Sequence, residues 1–81
     1  MVRIDWQEYR DFRKEKEIAG QRDKFLNLVC FVISFYNIHS YERIYEIIKN
    51  DYVGNMMMQK NGINSVLDLE NYVSKYRKMN F

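Results

Sequence analysis

The chain has 81 residues, enough for one domain (residues 1–81), and its single Cys excludes a disulfide within the chain. The formal net charge is only +2, and the first 24 residues carry seven Lys or Arg against six Asp or Glu. Such mixed charge argues against a protein that binds nucleic acid through clustered, unopposed cations.

The first predicted helix starts at a capping signal. Asp5 and Glu8 have the spacing of a capping box, with Asp at the N-cap position. The sequence predicts a helix over about residues 6–19, ended by Gly20, a residue suited to a left-handed helix end. Its buried line is formed by apolar residues at helical spacing, namely Val2, Trp6, Tyr9 and Phe12.

The opposite face of the first helix carries Arg10, Arg13 and Lys14. These cations could bind phosphate groups, which makes a DNA- or RNA-binding regulator the alternative function. Acidic residues are interleaved with them along the sequence, and pairs such as Arg13 and Glu17 lie at helical contact spacing. We therefore favour an ordinary solvated helix face over a nucleic-acid interface.

Residues 25–38, FLNLVCFVISFYNI, form the most apolar stretch of the chain. Its length favours a helix over a strand, since strands usually run about 4–8 residues and no Gly or Pro interrupts it. It is too short to cross a membrane, which requires about 20 apolar residues. We predict an all-α fold of four or five helices packed around this central helix, at about residues 21–36. Cys30 within it is typical of a buried residue in a reduced, cytoplasmic protein.

The polar residues of the central helix fall on one narrow line, which consists of Asp23, Asn27 and Ser34. Phe31 lies within that line. A chain this short buries only about 60–65% of its unfolded surface. We therefore expect the neighbouring helices to leave Phe31 uncovered, so that a second copy in a homodimer, or another protein, buries it.

Ser40 is predicted to cap a third helix. Its buried stripe consists of residues three or four apart, namely Tyr41, Ile44, Tyr45, Ile48 and Tyr52. Such a stripe is typical of core packing, although three Tyr could also stack on nucleic-acid bases. Gly54 either ends this helix or lies within a longer one, at a cost of about 1 kcal/mol relative to Ala.

Three consecutive Met residues, Met56, Met57 and Met58, follow Gly54. Consecutive residues of a helix cannot all face one core, so at least one of them lies at the surface or in an interface. Met side chains adapt to irregular partners, and they also fill gaps in a core. Together with Phe31, the three Met residues are the candidate protein-binding residues.

The last predicted helix begins after a turn. Gly62 suits a left-handed helix end, and Ser65 with Asp68 has capping-box spacing for a helix that begins at Val66. The predicted inner face of this helix comprises Val66, Leu69, Tyr72, Val73 and Tyr76. A helix-turn-helix motif is disfavoured, because Asp68 and Glu70 in the first turns of the recognition helix would repel phosphate groups.

Catalytic and metal-binding patterns are absent from the sequence. The chain has one His and one Cys, with no second ligand at metal-binding spacing, and its three Gly are isolated. The carboxylates fall on predicted solvent faces, whereas acid–base catalysis needs them in a cleft. We therefore expect no metal, no cofactor and no enzymatic activity. The leading hypothesis is a small cytoplasmic regulator or inhibitor that binds another protein, of the kind that phages and mobile elements encode against host or defence proteins.

Overall fold

Five helices follow one another in the computed structural model, which describes residues 2–80 and the side chains of residues 2–75. They are α1 (Trp6–Ile18), α2 (Lys24–Tyr36), α3 (Tyr41–Lys49), α4 (Tyr52–Lys60) and α5 (Val66–Asn80). No strand occurs within residues 2–80, so the predicted all-α bundle is confirmed. No helix in this range is long and apolar enough to cross a membrane.

Each helix begins directly after an Asp or Ser whose side-chain oxygen accepts a hydrogen bond from the backbone N–H three residues further on. These five capping residues are Asp5, Asp23, Ser40, Asp51 and Ser65. The caps predicted at Asp5, Ser40 and Ser65 are confirmed. Asp23 is a cap as well, and not a helical residue, so α2 starts at Lys24 and not at about residue 21.

Gly54 lies in the first turn of α4, and therefore neither ends α3 nor lies within a longer α3. The third helix stops at Lys49, and Asp51 caps the next one by accepting a hydrogen bond from the Gly54 N–H at 2.9 Å. A Cβ atom at Gly54 would lie 2.7 Å from the Ile48 carbonyl oxygen, so only a residue without a side chain lets α4 approach α3 this closely. Tyr52, predicted to extend the buried stripe of α3, is 81% exposed because the chain turns before it.

The turn between α4 and α5 has the predicted form. Gly62 has a φ of 71°, in the left-handed region, and the Ile63 N–H donates to the Met58 carbonyl oxygen at 2.9 Å. The buried residues on the inner face of α5 are Leu69 and Val73. The side chain of Tyr76, predicted on the same face, lies outside the described residues.

The core is built around α2. The fully buried residues of this helix include Phe25, Leu28, Val29 and Val32. The neighbouring helices contribute Ile44 and Ile48 from α3, Met58 from α4 and Leu69 from α5. Burial of this kind stabilises the fold by about 1.5–3 kcal/mol for each large side chain. The central position predicted for α2 is therefore confirmed by the packing.

Phe31 is 1% exposed, so the prediction that a second chain is needed to bury it is wrong. The rings of Tyr9 and Phe12 contact it edge-on with centroids 5.8 and 5.6 Å away, and Phe35 stacks on it at 4.9 Å. Asn27, on the same line of α2, is fully buried too. The first helix therefore covers the side of α2 that we expected to be open, and Phe31 is not available to a partner.

Hydroxyl groups attach α1 to α2 at both ends. The Tyr36 hydroxyl donates to the Arg3 carbonyl oxygen at 2.7 Å and accepts from the Asp5 N–H at 2.8 Å. Near the other end of α2, the Tyr9 hydroxyl donates to the Lys24 carbonyl oxygen at 2.8 Å. These bonds hold α1 in place across α2, and so fix one wall of the site described next.

Candidate functional site

A cleft of about 580 Å³ opens between α1, the start of α2 and α4, and is called here the α1–α4 cleft. Its lining comprises Trp6, Tyr9, Arg10 and Arg13 from α1, residues 22–25, and Val53, Met57, Lys60 and Asn61 from α4 and its end. Apolar and cationic side chains thus meet in one concave surface.

Two hydrogen bonds set the positions of the cleft walls. The Trp6 Nε1–H donates to Oδ2 of Asp51 at 3.1 Å, and Asp51 is the residue that caps α4. The Tyr9 hydroxyl, bonded to the Lys24 carbonyl oxygen, attaches the same helix to the start of α2. The walls are therefore formed by helices whose ends are bonded to one another.

Five cationic side chains converge on the α1–α4 cleft from three segments of the chain. They are Arg10, Arg13, Arg22, Lys24 and Lys60. Among the side chains of residues 2–75, Arg13 alone of these five forms an ion pair, with Glu17 at 3.3 Å. The acid in the lining is Asp23, whose carboxylate already accepts hydrogen bonds from the Leu26 N–H and the Tyr72 hydroxyl. One carboxylate against five cations leaves the lining with an excess of positive charge, which favours anionic ligand groups.

Three of the acidic residues of α1 lie away from the cleft, although they alternate with the cations along the sequence, whereas Glu17 lies on the cleft side and pairs with Arg13. Glu8, Asp11 and Glu15 follow one another at spacings of three and four, so they share one line of the helix. At about 3.6 residues per turn, that line is on the far side of α1 from Arg10 and Arg13. Charge that is mixed in the sequence is thus partly separated in space.

Arg13 and Tyr9 form the α1 wall of the cleft. The guanidinium carbon of Arg13 lies 5.8 Å from the centre of the Tyr9 ring, and its Nε lies 3.3 Å from Oε1 of Glu17, so the predicted ion pair is confirmed. Burial raises the pKa of Tyr9 above its ordinary value, and the positive charge of Arg13 offsets part of this rise. At neutral pH the Tyr9 hydroxyl therefore stays protonated and keeps its bond to α2.

The fourth helix presents three exposed apolar side chains beside the cleft, called here the α4 apolar face. Tyr52 is 81% exposed, Val53 46% and Met56 45%. Their spacing places them on one side of α4. Val53 also lines the cleft, as does the half-buried Met57. The apolar face and the cationic walls are therefore one continuous surface.

The three consecutive Met residues divide between core and surface. Met58 is 2% exposed and belongs to the core, Met57 is half-buried in the cleft wall, and Met56 is exposed. Of the candidate protein-binding residues, Met56 and Met57 are accessible to a partner. Met58 and Phe31 are not accessible, because α2 and its neighbours enclose both side chains.

The cations predicted for nucleic-acid binding are only partly brought together. Arg10 and Arg13 line the cleft, whereas Lys14 lies outside it, in a neighbouring depression. Sequence reasoning missed Arg22, Lys24 and Lys60. Arg22 lies in the short connection between α1 and α2. Because the capping residue of α2 marks where that helix begins, the position of Arg22 could have been predicted. Lys60 reaches the cleft through the tertiary placement of α4, for which the sequence carries no local signal.

Comparison with protein-family models, with curated proteins and with solved structures gave no match for this chain. Within the part of the chain that the structure describes, no group of three or more His, Cys, Asp or Glu residues is placed to hold a metal ion. The candidate functional surfaces of the described residues are therefore the α1–α4 cleft and the α4 apolar face.

Proposed function

We propose that this protein is a small non-enzymatic regulator or inhibitor that binds another protein through the α4 apolar face. The observation that supports this is the clustering of Tyr52, Val53 and Met56 at the surface of one short helix. Among the described side chains, the other large exposed apolar residues lie singly on three other helices, and they are Ile18, Phe35 and Leu67. Scattered apolar residues need no explanation, whereas a cluster beside a polar rim is typical of an interaction site.

The position of α4 makes its apolar face suitable for binding. Asp51 caps the helix, Gly54 lies against the end of α3, and Met58 anchors the inner side in the core. A surface that is ordered before binding loses less conformational entropy when a partner docks. Met56 adds a side chain that can adapt to the shape of the partner. On this proposal the chain acts in the cytoplasm on a host or defence protein, as an inhibitor encoded by a phage or mobile element.

Site-specific photo-crosslinking tests the proposed function. A benzophenone amino acid in place of Met56 should give a discrete adduct with a second protein in host cells. The same group in place of Leu67, an exposed apolar residue of α5, is the matched control and should give none. An adduct of twice the chain mass at position 56 would identify a homodimer as the complex. No adduct at position 56, or equal adducts at both positions, would contradict the proposal.

A DNA- or RNA-binding regulator is the second candidate function. The partial separation of charge around α1 favours it, because Arg10 and Arg13 face the cleft while Glu8, Asp11 and Glu15 lie on the far side, and Glu17 is the acid that accompanies Arg13. A salt titration against mixed DNA and RNA tests it. Binding that weakens steeply with salt, and is lost when Arg10→Glu and Arg13→Glu are combined, would support this candidate. No binding at low salt would exclude it.

A further inference from the structure

We infer that the α1–α4 cleft binds carboxylate side chains of the partner, so that the docked segment is acidic and carries an apolar residue beside its acids. This inference rests on the protein-binding function proposed above. Arg10, Arg22 and Lys60 supply positive charge from three segments of the chain, and Val53 and Met57 supply the apolar wall. A short stretch in which Asp and Glu flank Leu or Phe satisfies both requirements at once.

The positive charges of the cleft favour an anionic ligand. Arg10, Arg22 and Lys60 form no ion pair with any side chain that the structure describes. Cations gathered at one site repel one another until a ligand neutralises them. A guanidinium group binds a carboxylate through two parallel N–H donors, so Arg10 and Arg22 are suited to Asp and Glu side chains. Binding of two or more carboxylates therefore removes repulsion as well as adding attraction.

The apolar wall decides what lies next to those carboxylates. Val53 is 46% exposed and Met57 is half-buried, and both line the cleft on its α4 side. An apolar side chain of the partner that covers them is removed from water, while its acidic neighbours reach the cations of the α1 wall. Because Val53 also belongs to the α4 apolar face, one segment can occupy the cleft and continue across that face.

A single strand of nucleic acid fits this cleft less well, because it needs exposed aromatic rings on which its bases can stack. Tyr9 is 3% exposed, and the Trp6 ring packs edge-on against it with centroids 5.3 Å apart. The Trp6 N–H is already donated to Asp51. Tyr52 is exposed, but it lies on the α4 apolar face, outside the cleft lining. The observations therefore favour a protein segment.

Fluorescence anisotropy with designed probes tests the inference on the full chain. The main probe is a short fluorescein-labelled peptide made of repeated Asp-Glu-Leu-Phe-Asp-Glu blocks. One comparison peptide has Asn and Gln in place of the acids, and another has Ser in place of Leu and Phe. A single-stranded oligonucleotide of similar length is the third comparison. We expect the main probe to bind about tenfold or more tightly than each of the three.

Charge-reversal variants localise the binding. Combining Arg10→Glu with Lys60→Glu should weaken binding of the main probe by about tenfold or more. The matched control combines Arg43→Glu with Lys75→Glu, which changes the net charge equally at exposed positions outside the cleft lining. This control should change the affinity by about twofold or less. Circular dichroism and urea unfolding of both double variants show whether each still folds.

Three results would overturn the inference. The first is that the acid-free peptide binds as tightly as the main probe. The second is that the oligonucleotide binds more tightly than the main probe and loses this binding in the Arg10→Glu, Lys60→Glu variant. The third is that the folded protein does not bind the main probe. Failure of the proposed function can be distinguished from failure of this inference. If Met56→Glu abolishes binding of the acidic and acid-free peptides alike, the α4 apolar face binds protein and the cleft does not select carboxylates. If the main probe binds through the cleft but position 56 yields no crosslink, the proposed function fails and carboxylate binding stands.

Discussion

The indole N–H of Trp6 donates a hydrogen bond to Oδ2 of Asp51 at 3.1 Å, while Oδ1 of the same carboxylate caps α4 by accepting from the Gly54 N–H at 2.9 Å. One side chain thus joins residues 45 positions apart in the sequence and starts a helix. Because Trp6 belongs to α1, this carboxylate also sets the distance between two walls of the α1–α4 cleft. The shape of the candidate site therefore depends on a residue that does not line it.

Replacement of Asp51 by Ala should lower the free energy of unfolding by about 1.5–3 kcal/mol. The loss of an N-cap costs about 0.5–2 kcal/mol. The loss of the bond to Trp6 adds about 1 kcal/mol. Urea unfolding followed by circular dichroism measures this difference.

Ser40→Ala is the matched control for Asp51→Ala, because Ser40 caps α3 and its hydroxyl makes no other described hydrogen bond. It should cost about 1 kcal/mol or less, since its capping bond is long at 3.5 Å. Trp6→Phe, made in the wild type and in Asp51→Ala, completes a double-mutant cycle in which the expected coupling between Trp6 and Asp51 is about 1 kcal/mol. A coupling of zero would show that the bond between Trp6 and Asp51 does not stabilise the fold.

Phe31→Ala should destabilise the monomer by about 3–5 kcal/mol, because it leaves a cavity among the rings of α1 and α2. Phe35, the next ring along, is 50% exposed, and Phe35→Ala should cost about 1 kcal/mol. Urea unfolding at several protein concentrations measures both. If Phe31 were instead an interchain contact, Phe31→Ala would remove the dependence of stability on concentration and leave the monomer almost as stable as before.

Three of the five helix starts were predicted from the sequence, because a capping hydrogen bond depends on chemistry within four residues. Asp5, Ser40 and Ser65 were identified from their type and spacing alone, and Gly62 from its place after a helical stretch. The caps Asp23 and Asp51 were missed, and the division of residues 41–60 into two helices was left open at Gly54. The capping hydrogen bond of Asp51 is local, but the apolar stripe predicted for α3 continued through Tyr52, so the end of α3 was not recognised. The break between the two helices also requires the close packing of Gly54 against α3, which depends on tertiary structure.

The candidate site was only partly open to prediction. Met56 was a candidate from the rule that consecutive helical residues cannot all face one core, whereas Phe31 was misplaced. Polar neighbours on the same line suggested exposure, but α1 covers that line, and Asn27 is buried with it. The cleft itself could not be predicted, because its charge depends on which side of α1 faces α4. Only the packed structure shows that Arg10 and Lys60 lie on one surface.

Gly54→Ala should destabilise the protein by about 1–2 kcal/mol, although Ala is the better helix former. The helical preference of Ala contributes about 1 kcal/mol in the opposite direction. Overpacking costs about 1–3 kcal/mol, and the upper part of that range, about 2–3 kcal/mol, applies here because the new Cβ would meet the Ile48 carbonyl oxygen at 2.7 Å, an atom of the backbone that cannot rotate away. Urea unfolding measures the effect. Gln59→Ala, at an exposed position of the same helix, is the control and should change stability by about 0.5 kcal/mol or less.

Tyr9 should make the fold sensitive to alkali. Burial raises its pKa in the folded protein above the ordinary value of 10.0. Between the unfolded and folded pKa values, the unfolded chain has lost the phenolic proton and the folded chain has kept it, so rising pH favours unfolding. The stabilisation is complete below about pH 10 and is lost as the pH rises through the folded pKa.

Tyr9→Phe isolates this contribution, because it keeps the ring against Phe31 and removes the ionisable hydroxyl. At about pH 8 the variant should be less stable by about 1 kcal/mol, since the bond to the Lys24 carbonyl oxygen is lost. Above about pH 10 its stability should fall less steeply than that of the wild type. Tyr52→Phe, at a position that is 81% exposed, should keep the wild-type slope. Unfolding by urea across this pH range provides the slopes, and identical slopes for Tyr9→Phe and the wild type would show that the Tyr9 hydroxyl is not held in a buried position.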